Sequence, residues 1–216
     1  MKKLLKMSWM AFVFCLICAG VFTVNVNAEE AKSEPVTTLY YSAKSNKLSK
    51  TSYFIIGKGE VKPTNIKSSN PKVITAKAKK VDGHWVVYMT MKKTGTAKIS
   101  YSSGGDGVST HTYVVKKYTS PLKKLKIGKK NFTSSYKNSR HNSGGKLTGK
   151  VSLKLKSGWK CTRCYQFKTA DLGQMTSAEL QKEINLKKSI TVKKGYRLIF
   201  VFEKGTKSMT LAYDAK

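Results

Sequence analysis

The feature that most limits the fold is a series of short runs with period two between Ile66 and Tyr118, separated by turn signals. Ala97, Ile99 and Tyr101 alternate with polar residues, so one face of an extended strand is apolar. Asp82-Gly83 lies between two more such runs, and a two-residue Asp-Gly loop suits the tight turn of a β-hairpin. The stretch therefore predicts most of an antiparallel β-sandwich.

Three earlier runs complete this sandwich. Val36–Tyr41 and Tyr53–Gly57 predict its first two strands, and Asn65–Ser68 predicts a third. The strand count then matches the seven strands of an immunoglobulin-like (Ig-like) domain. Residues 29–160 contain no cysteine, so the core depends on burial of apolar side chains alone. The expected core residues are Ile55, Ile74, Val87, Ile99, Tyr101 and Val114.

The order of three motifs gives this region a family resemblance. Ser69-Asn70-Pro71 comes first, the Asp82-Gly83 hairpin follows, and a strand that starts at Gly95-Thr96-Ala97 comes third. Together they resemble the bacterial immunoglobulin-like domain, group 2, over residues 36–118. The resemblance implies a seven-stranded Ig-like fold in a secreted or surface protein, used as a spacer or adhesive module. It implies no catalytic motif.

The N-terminus predicts an export signal. Lys2, Lys3 and Lys6 precede an uncharged apolar segment, and small residues follow it, so residues 1–28 resemble a signal peptide that is cleaved between Ala28 and Glu29. An uncleaved anchor remains an alternative, because the apolar run 9–24 is nearly long enough to span a membrane. No transmembrane segment is expected once the signal is removed. Residues 29–35 predict a disordered leader.

The remaining residues, 119–216, predict a second sandwich. Thr119-Ser120-Pro121 interrupts the strand pattern, and Val151, Leu153 and Leu155 then alternate with polar residues. Lys193-Lys194-Gly195 predicts a hairpin turn. The fold class is therefore all-β, with two consecutive Ig-like antiparallel sandwiches after a signal peptide. The other predicted strands are Trp159–Phe167, Ser189–Val192, Tyr196–Glu203 and Ser208–Tyr213.

Two stretches of the second half do not predict strands. Ser134–Gly145 is almost free of aliphatic residues and rich in Ser, Asn and Gly, which is typical of a mobile loop. Thr176 and Glu179 have the spacing of a capping box, with Leu180 and Ile184 one turn apart behind it. This second stretch predicts either a short helix or a loop and strand.

The net charge is +31, and only Arg140, Arg163 and Arg197 among the 42 basic residues are arginine. Such a charge attracts polyanions. Base-specific contacts to nucleic acid depend on arginine, so no specific nucleic acid is expected. Because the chain is expected to be exported, the expected partners are anionic cell-wall polymers, glycans or surface proteins. The expected source is a Gram-positive bacterium, and the expected location is secreted or wall-associated. Lysine also keeps strand edges from pairing and the protein soluble, which explains much of the charge without any partner.

Cys161 and Cys164 are the only cysteines after the signal, and their role stays open. Outside the cell such a pair tends to form a disulfide, although residues i and i+3 of a regular strand point to opposite faces. A redox-active pair, a zinc site and two free thiols are the alternatives. The pair lacks the helical context of redox motifs, and the histidines His84, His111 and His141 are scattered singly.

No catalytic residue and no cofactor or metal motif can be assigned. The close carboxylate pairs lie in the leader and on the possible helix, and no nucleophile elbow, zinc-protease helix or phosphate loop occurs. His84 and Trp85 could rim a glycan site, although a tryptophan there is more often core. The sequence thus predicts a non-catalytic adhesive or spacer module. The alternative is a redox or hydrolytic protein that uses Cys161 and Cys164 or an unrecognised site. The oligomeric state stays unknown.

Overall fold

The computed structural model describes residues 23–24, 36–56, 59–81, 83–104, 106–169 and 181–216. The leader and the cleavage point between Ala28 and Glu29 lie outside the described residues, as does the signal peptide apart from Thr23–Val24. These two residues pair in parallel with Ile55 and Ile56, and cleavage at the predicted point would remove them.

The first sandwich contains strands close to those predicted. One turn of 3-10 helix, Leu48–Lys50, precedes its second long strand. The predicted hairpin is confirmed, because Val81 pairs with His84 and Gly83 has a φ of +85°. The strands are β1 (Thr23–Val24), β2 (Val36–Tyr41), β3 (Thr51–Ile56), β4 (Thr64–Ser68), β5 (Ile74–Val81), β6 (His84–Met91), β7 (Gly95–Ser103) and β8 (Asp106–Lys117).

The strand order of this sandwich is Ig-like. One sheet has the order β1-β3-β6-β5, and the other has the order β2-β8-β7-β4. If the strands are numbered from β2, strands 2, 5 and 4 belong to one sheet, and strands 1, 7, 6 and 3 belong to the other. This is the immunoglobulin arrangement, except that strand 1 pairs with strand 7. That pairing of β2 with β8 is parallel.

The core between these sheets contains Phe54, Ile74, Val87, Ile99 and Tyr101. It follows the period of the strands, since Ala97, Ile99 and Tyr101 of β7 are buried and the residues between them are not. Of the six predicted core residues, five are buried. The prediction for Val114 is wrong. Tyr113 and Val115 face the core on β8, so the residue between them faces outward.

The second sandwich has a related strand order. Its strands are β9 (Leu122–Ile127), β10 (Lys130–Asn131), β11 (His141–Gly144), β12 (Leu147–Leu155), β13 (Lys160–Lys168), β14 (Lys182–Glu183), β15 (Ser189–Val192), β16 (Tyr196–Lys204) and β17 (Lys207–Ala215). Its sheets have the orders β10-β9-β12-β15 and β11-β17-β16-β13-β14, and β11 pairs in parallel with the last strand, β17. The core includes Leu125, Val192, Leu198, Phe200 and Leu211.

Two predictions for this half are wrong. The turn Lys193-Lys194-Gly195 is not a hairpin, because β15 and β16 belong to different sheets and the chain crosses between them there. The stretch Ser134–Gly145 is not only a loop. Ser139, Arg140 and His141 are buried in it, and β11 pairs with β17. Hydrogen bonds to other parts of the chain hold this stretch in a fixed conformation, as the packing of aliphatic side chains does elsewhere.

The predicted helix after Thr176 falls mostly on residues 170–180, which lie outside the described residues. Beyond them, Lys182–Glu183 is the short strand β14, which pairs with Tyr165 and Gln166 of β13. The part that the structure describes therefore follows the alternative of a loop and strand.

Candidate functional site

Hydrogen bonds to backbone groups fix the joint between the two sandwiches. Ser49 Oγ accepts hydrogen bonds from the backbone N–H groups of Arg140 and His141, each at 2.9 Å. The backbone N–H of Asn46 donates to Ser139 Oγ at 3.1 Å, and its side-chain amide donates to the carbonyl of His141 at 2.6 Å. Because Ser49 is only 2% exposed, water cannot replace these bonds cheaply.

Two tyrosines extend the joint into the second sandwich. The backbone N–H of Tyr118 donates to the carbonyl of Tyr41 at 2.8 Å, and its hydroxyl donates to the carbonyl of Tyr136 at 2.7 Å. Tyr136 Oη in turn donates to the carbonyl of Ala212 at 2.8 Å. Burial raises the pKa of Tyr118 to about 12, so its hydroxyl stays protonated and keeps donating. The short connection between the sandwiches is thus tied to both.

Next to the joint, three ionisable side chains from neighbouring strands form a buried cluster. Arg197 on β16 faces Asp214 on β17, and its Nε and Nη2 donate to Oδ1 and Oδ2 at 2.5 and 3.0 Å. His141 Nε2 on β11 lies 2.7 Å from Oδ2 of the same carboxylate. All three residues are less than 9% exposed, so each charge needs its partner.

The charge state of this cluster follows from its contacts. Burial alone would raise the pKa of Asp214, but the hydrogen bonds from His141 and Arg197 outweigh it and hold that pKa well below its usual range. Burial lowers the pKa of His141; the bond to Asp214 opposes this, and Arg197 adds to it. At neutral pH His141 is therefore neutral, so Nε2 carries the proton and donates to Asp214. The ionised Asp214 and Arg197 cancel each other.

The pair His141–Asp214 resembles two thirds of a hydrolytic triad, but no hydroxyl of the described residues hydrogen-bonds the other ring nitrogen, His141 Nδ1. Ser49 Oγ already accepts the two backbone N–H groups of the joint, and it lies 3.3 Å from the carbonyl of His141. His141 Nδ1 is buried without a hydrogen-bond partner among the described residues. The arrangement suits a structural cluster, because no substrate atom can reach that nitrogen while it is buried.

This cluster lies at the floor of a cleft between the sandwiches, with a volume of about 420 Å³. Tyr53, Tyr88 and Lys79 of the first sandwich line this cleft. Lys194 and Lys216 of the second sandwich line it as well. The rings of Tyr53 and Tyr88, which face each other on β3 and β6, are 6.4 Å apart at 12°. Lys79 Nζ lies 4.6 Å from the ring centre of Tyr88. The cleft thus combines aromatic surface with exposed ammonium groups.

Sequence interpretation missed every residue of the floor. A usable signal existed, because Arg140, Arg163 and Arg197 are the only arginines in a lysine-rich chain. Arg140 and Arg197 are buried, whereas Arg163 lies 3.7 Å from Glu183, whose side chain is 76% exposed. A guanidinium is less strongly hydrated than an ammonium and binds carboxylates through two nitrogens, so arginine suits such positions. Two of the three rare arginines are therefore buried, and one of them, Arg197, pairs with a buried carboxylate.

Cys161 and Cys164 are free thiols in the structure, so the predicted disulfide stays a prediction. The register of β13 shifts between Cys161 and Arg163, which makes Thr162 the extra residue of a β-bulge. Both cysteines therefore contact the same core, unlike i and i+3 of a regular strand. Burial raises the pKa of Cys161 to about 11 and raises that of Cys164 further, which disfavours the reactive thiolate.

His84 and Trp85 lie outside the cleft. Trp85 is half-buried and belongs to neither core; Lys62 Nζ and Lys80 Nζ lie 5.4 and 5.8 Å from its ring centre. Two ammonium groups therefore lie over this ring, as that of Lys79 does over the ring of Tyr88. The backbone N–H of Trp85 donates to the carbonyl of Gly59, which fixes the start of β6. A glycan contact at His84 and Trp85 stays a prediction.

The described residues contain no group of three or more His, Cys, Asp or Glu side chains that could hold a metal ion. No helix in the same ranges is both long and apolar enough to cross a bilayer.

No protein-family model matches the chain, and no curated protein matches it. Among solved structures, domains 4 and 5 of the S-layer protein SbsC are 20% identical over 73% of this chain and 71% of that one, with a TM-score of 0.21. The tandem Ig repeats of Dlar are 8% identical over 86% and 97%, with a TM-score of 0.31. The D00-D0 domain of intimin is 8% identical over 84% and 94%, with a TM-score of 0.26. TM-scores this low carry no argument, so the Ig-like description depends on strand order.

Proposed function

We propose that this protein is an exported, non-catalytic module of two Ig-like sandwiches that binds anionic polymers of a cell envelope. We further propose that residues 1–28 are its signal peptide, that 29–35 form a leader, and that the domains comprise 36–118, a group 2 bacterial Ig-like domain, and 119–216. The proposed location is the surface or surroundings of a Gram-positive bacterium.

The observation that supports this proposal most is the sign of the exposed charge. No lysine in the described part of the chain is buried. Glu60, Glu183 and Glu203 are exposed in the same ranges, whereas Asp214 is buried and neutralised by Arg197. Both sandwiches therefore carry ammonium groups with few carboxylates between them. Such a surface attracts a flexible polyanion at many points, and salt weakens the attraction.

The fixed joint supports a role in which two basic surfaces act together. The bonds of Ser49 and Asn46 hold the sandwiches against each other, so binding a polymer across both does not require the joint to be ordered first. Preorganisation of this kind lowers the entropic cost of binding. An isolated flexible spacer would gain nothing from buried hydrogen bonds at this position.

The redox and hydrolytic alternative is less well supported. A catalytic cysteine requires a lowered thiol pKa, and the pKa values of Cys161 and Cys164 are raised. A hydrolytic His141 would require a hydroxyl within reach of its free nitrogen, whereas the nearby Ser49 bonds to the backbone.

The experiment is a binding assay of the chain from Glu29 onward to purified bacterial cell walls, before and after removal of their anionic polymers, at low and high salt. We expect retention on intact walls at low salt, and its loss both at high salt and after the polymers are removed. Neutral peptidoglycan and a neutral glucan serve as controls. Equal retention on neutral and anionic matrices, or no retention at low salt, would contradict the proposal.

A further inference from the structure

The cleft between the sandwiches has the size and the groups of a small-molecule site. Its volume of about 420 Å³ lies within the range of about 300–1,000 Å³ that ligand pockets occupy. Both sandwiches contribute to its walls, and the hydrogen bonds that Ser49 Oγ accepts from the backbone N–H groups of Arg140 and His141 hold those walls in place. A ligand of one or two sugar rings would be in contact with both.

The wall from the first sandwich offers an aromatic surface. Tyr53 and Tyr88 lie on the outer face of their sheet, are half-buried and belong to neither core. The two neighbouring phenol rings form an apolar surface outside either core, next to the ammonium of Lys79, which lies 4.6 Å from the ring centre of Tyr88. The negative face of such a ring attracts the slightly positive C–H groups on one side of a pyranose ring.

The sign of the charge in the cleft comes from its rim. Arg197 and Asp214 cancel each other in the floor, and His141 is neutral at neutral pH. Lys79 on one wall and Lys194 on the other are exposed and line the cleft, so the net charge that a ligand meets is positive. Ammonium groups act as point charges, so they attract carboxylate and phosphate alike.

We propose that this cleft binds a sugar residue that carries an anionic substituent, with the pyranose ring against Tyr53 and Tyr88 and the anionic group between Lys79 and Lys194. This inference rests on the proposed function and names the unit of the polymer that would be recognised. The aromatic wall selects a sugar ring, and the two lysines select the charge. A polyol phosphate without a ring would contact only the lysines, and a neutral sugar would contact only the tyrosines.

Calorimetric titration of the chain from Glu29 onward with four small probes tests this. The probes are a glucuronate disaccharide, its neutral glucose counterpart, a hexose phosphate and glycerol phosphate. We expect the two anionic sugars to bind, and the neutral sugar and glycerol phosphate to bind at least about tenfold more weakly. If only one of the two anionic sugars binds, the result shows whether the cleft takes a carboxylate or a phosphate group. Equal binding of glycerol phosphate and the sugars, or no binding of any probe, would overturn the inference.

Matched variants place the site. Tyr88→Leu should weaken binding of the anionic sugars about three- to tenfold, which is the loss of one aromatic contact. Lys194→Gln should weaken it about threefold, less so at high salt. Trp85→Leu and Lys154→Gln change an aromatic residue and a lysine outside the cleft and should leave binding unchanged. Weakening by Trp85→Leu in place of Tyr88→Leu would overturn the inference.

The same variants separate this inference from the proposed function. If all four variants bind cell walls like the unmodified protein and the small probes do not bind, the polymer is held by distributed charge and the cleft inference fails alone. If the anionic sugars bind in the cleft but cell walls are not retained, the proposed function fails alone.

Discussion

Arg197 and Asp214 face each other on the last two strands of the second sandwich, and the guanidinium donates to both oxygens of the carboxylate at 2.5 and 3.0 Å. Both residues are buried, and His141 adds a third hydrogen bond to the same carboxylate. A buried pair of this kind adds little net stability, but removal of one partner leaves a charge without compensation. The pair therefore makes the joint sensitive to single substitutions.

Arg197→Met is expected to lower the free energy of unfolding by about 3 kcal/mol, because Asp214 then stays buried with only His141 as partner. Arg163→Met is the matched control. Arg163 lies 3.7 Å from Glu183, whose side chain is 76% exposed, so its loss should cost less than about 1 kcal/mol. Urea unfolding of both variants measures the difference, and equal losses would contradict the role of burial.

Mild acid is expected to destabilise the protein through His141. Its pKa is lowered from 6.5 in the folded state, so the unfolded chain binds this proton more readily. Stability is therefore full above pH 6.5 and decreases as the pH falls from there toward the folded pKa. Asp214 adds a second decrease below pH 3.8, because its pKa is lowered too.

Urea midpoints at several pH values measure this dependence. His141→Gln cannot gain a proton, so it should remove the decrease in mild acid and leave the one at lower pH. His84→Gln is the control, since this residue lies outside the cluster. A midpoint of the unmodified protein that does not change between neutral pH and mild acid would contradict the lowered pKa.

Much of the fold could be predicted from local sequence. Ala97, Ile99 and Tyr101 are buried as their alternation predicts, and the strands that end at Val81 and begin at His84 pair with each other. Periodicity alone cannot assign a strand to a sheet, however. Lys193-Lys194-Gly195 has the composition of a hairpin turn, yet it connects opposite sheets, because the partner of each strand is chosen by packing over the whole sandwich.

The candidate site could not be predicted in this way. His141 and Arg197 are brought to Asp214 by the pairing of β11 and β16 with β17. Arg197 lies 17 residues from Asp214 in the sequence, but His141 lies 73 residues from it. The stretch before His141 has almost no aliphatic residues, so it has no strand period. The rarity of arginine was the one local signal. It indicates buried polar contacts but not their partners.

Ser49→Ala is expected to loosen the joint. The backbone N–H groups of Arg140 and His141 lose their acceptor in a buried position, which should cost about 2 kcal/mol. The relative orientation of the sandwiches should vary more, which small-angle scattering or residual dipolar couplings can detect. Ser134→Ala changes an exposed serine and should alter neither quantity. An unchanged orientation in Ser49→Ala would show that the tyrosine contacts suffice.

Native Cys161 is expected to react slowly with iodoacetamide. With a pKa of about 11 in place of 9.0, its thiolate at pH 8 is about a hundredfold less abundant. The same reaction in concentrated urea, where both thiols are free of the core, is the control. Because Cys161 and Cys164 contact one core, a mild oxidant should form a bridge within the chain, detected by mass. Native reactivity equal to that in urea would contradict the raised pKa.

Adjacent glycines at the end of β11 provide the sharpest test of packing next to the joint. A Cβ atom on Gly144 would lie 2.6 Å from Tyr213 Oη, whereas one on Gly145 would meet nothing within 4 Å. Tyr213 cannot move freely, since it is buried and its hydroxyl donates to the carbonyl of Gly145 at 2.7 Å. Gly144→Ala should therefore cost about 1–3 kcal/mol as an overpacked site.

Gly145→Ala should change stability by less than about 0.5 kcal/mol, as is usual for exposed positions. Neither glycine has a left-handed backbone, so conformational strain does not distinguish them. Thermal unfolding of both variants, with the near-ultraviolet dichroism of the tyrosines, compares the two costs. Equal midpoints would mean that Tyr213 moves aside without losing its hydrogen bond, and that β11 is packed less tightly against β17 than these distances indicate.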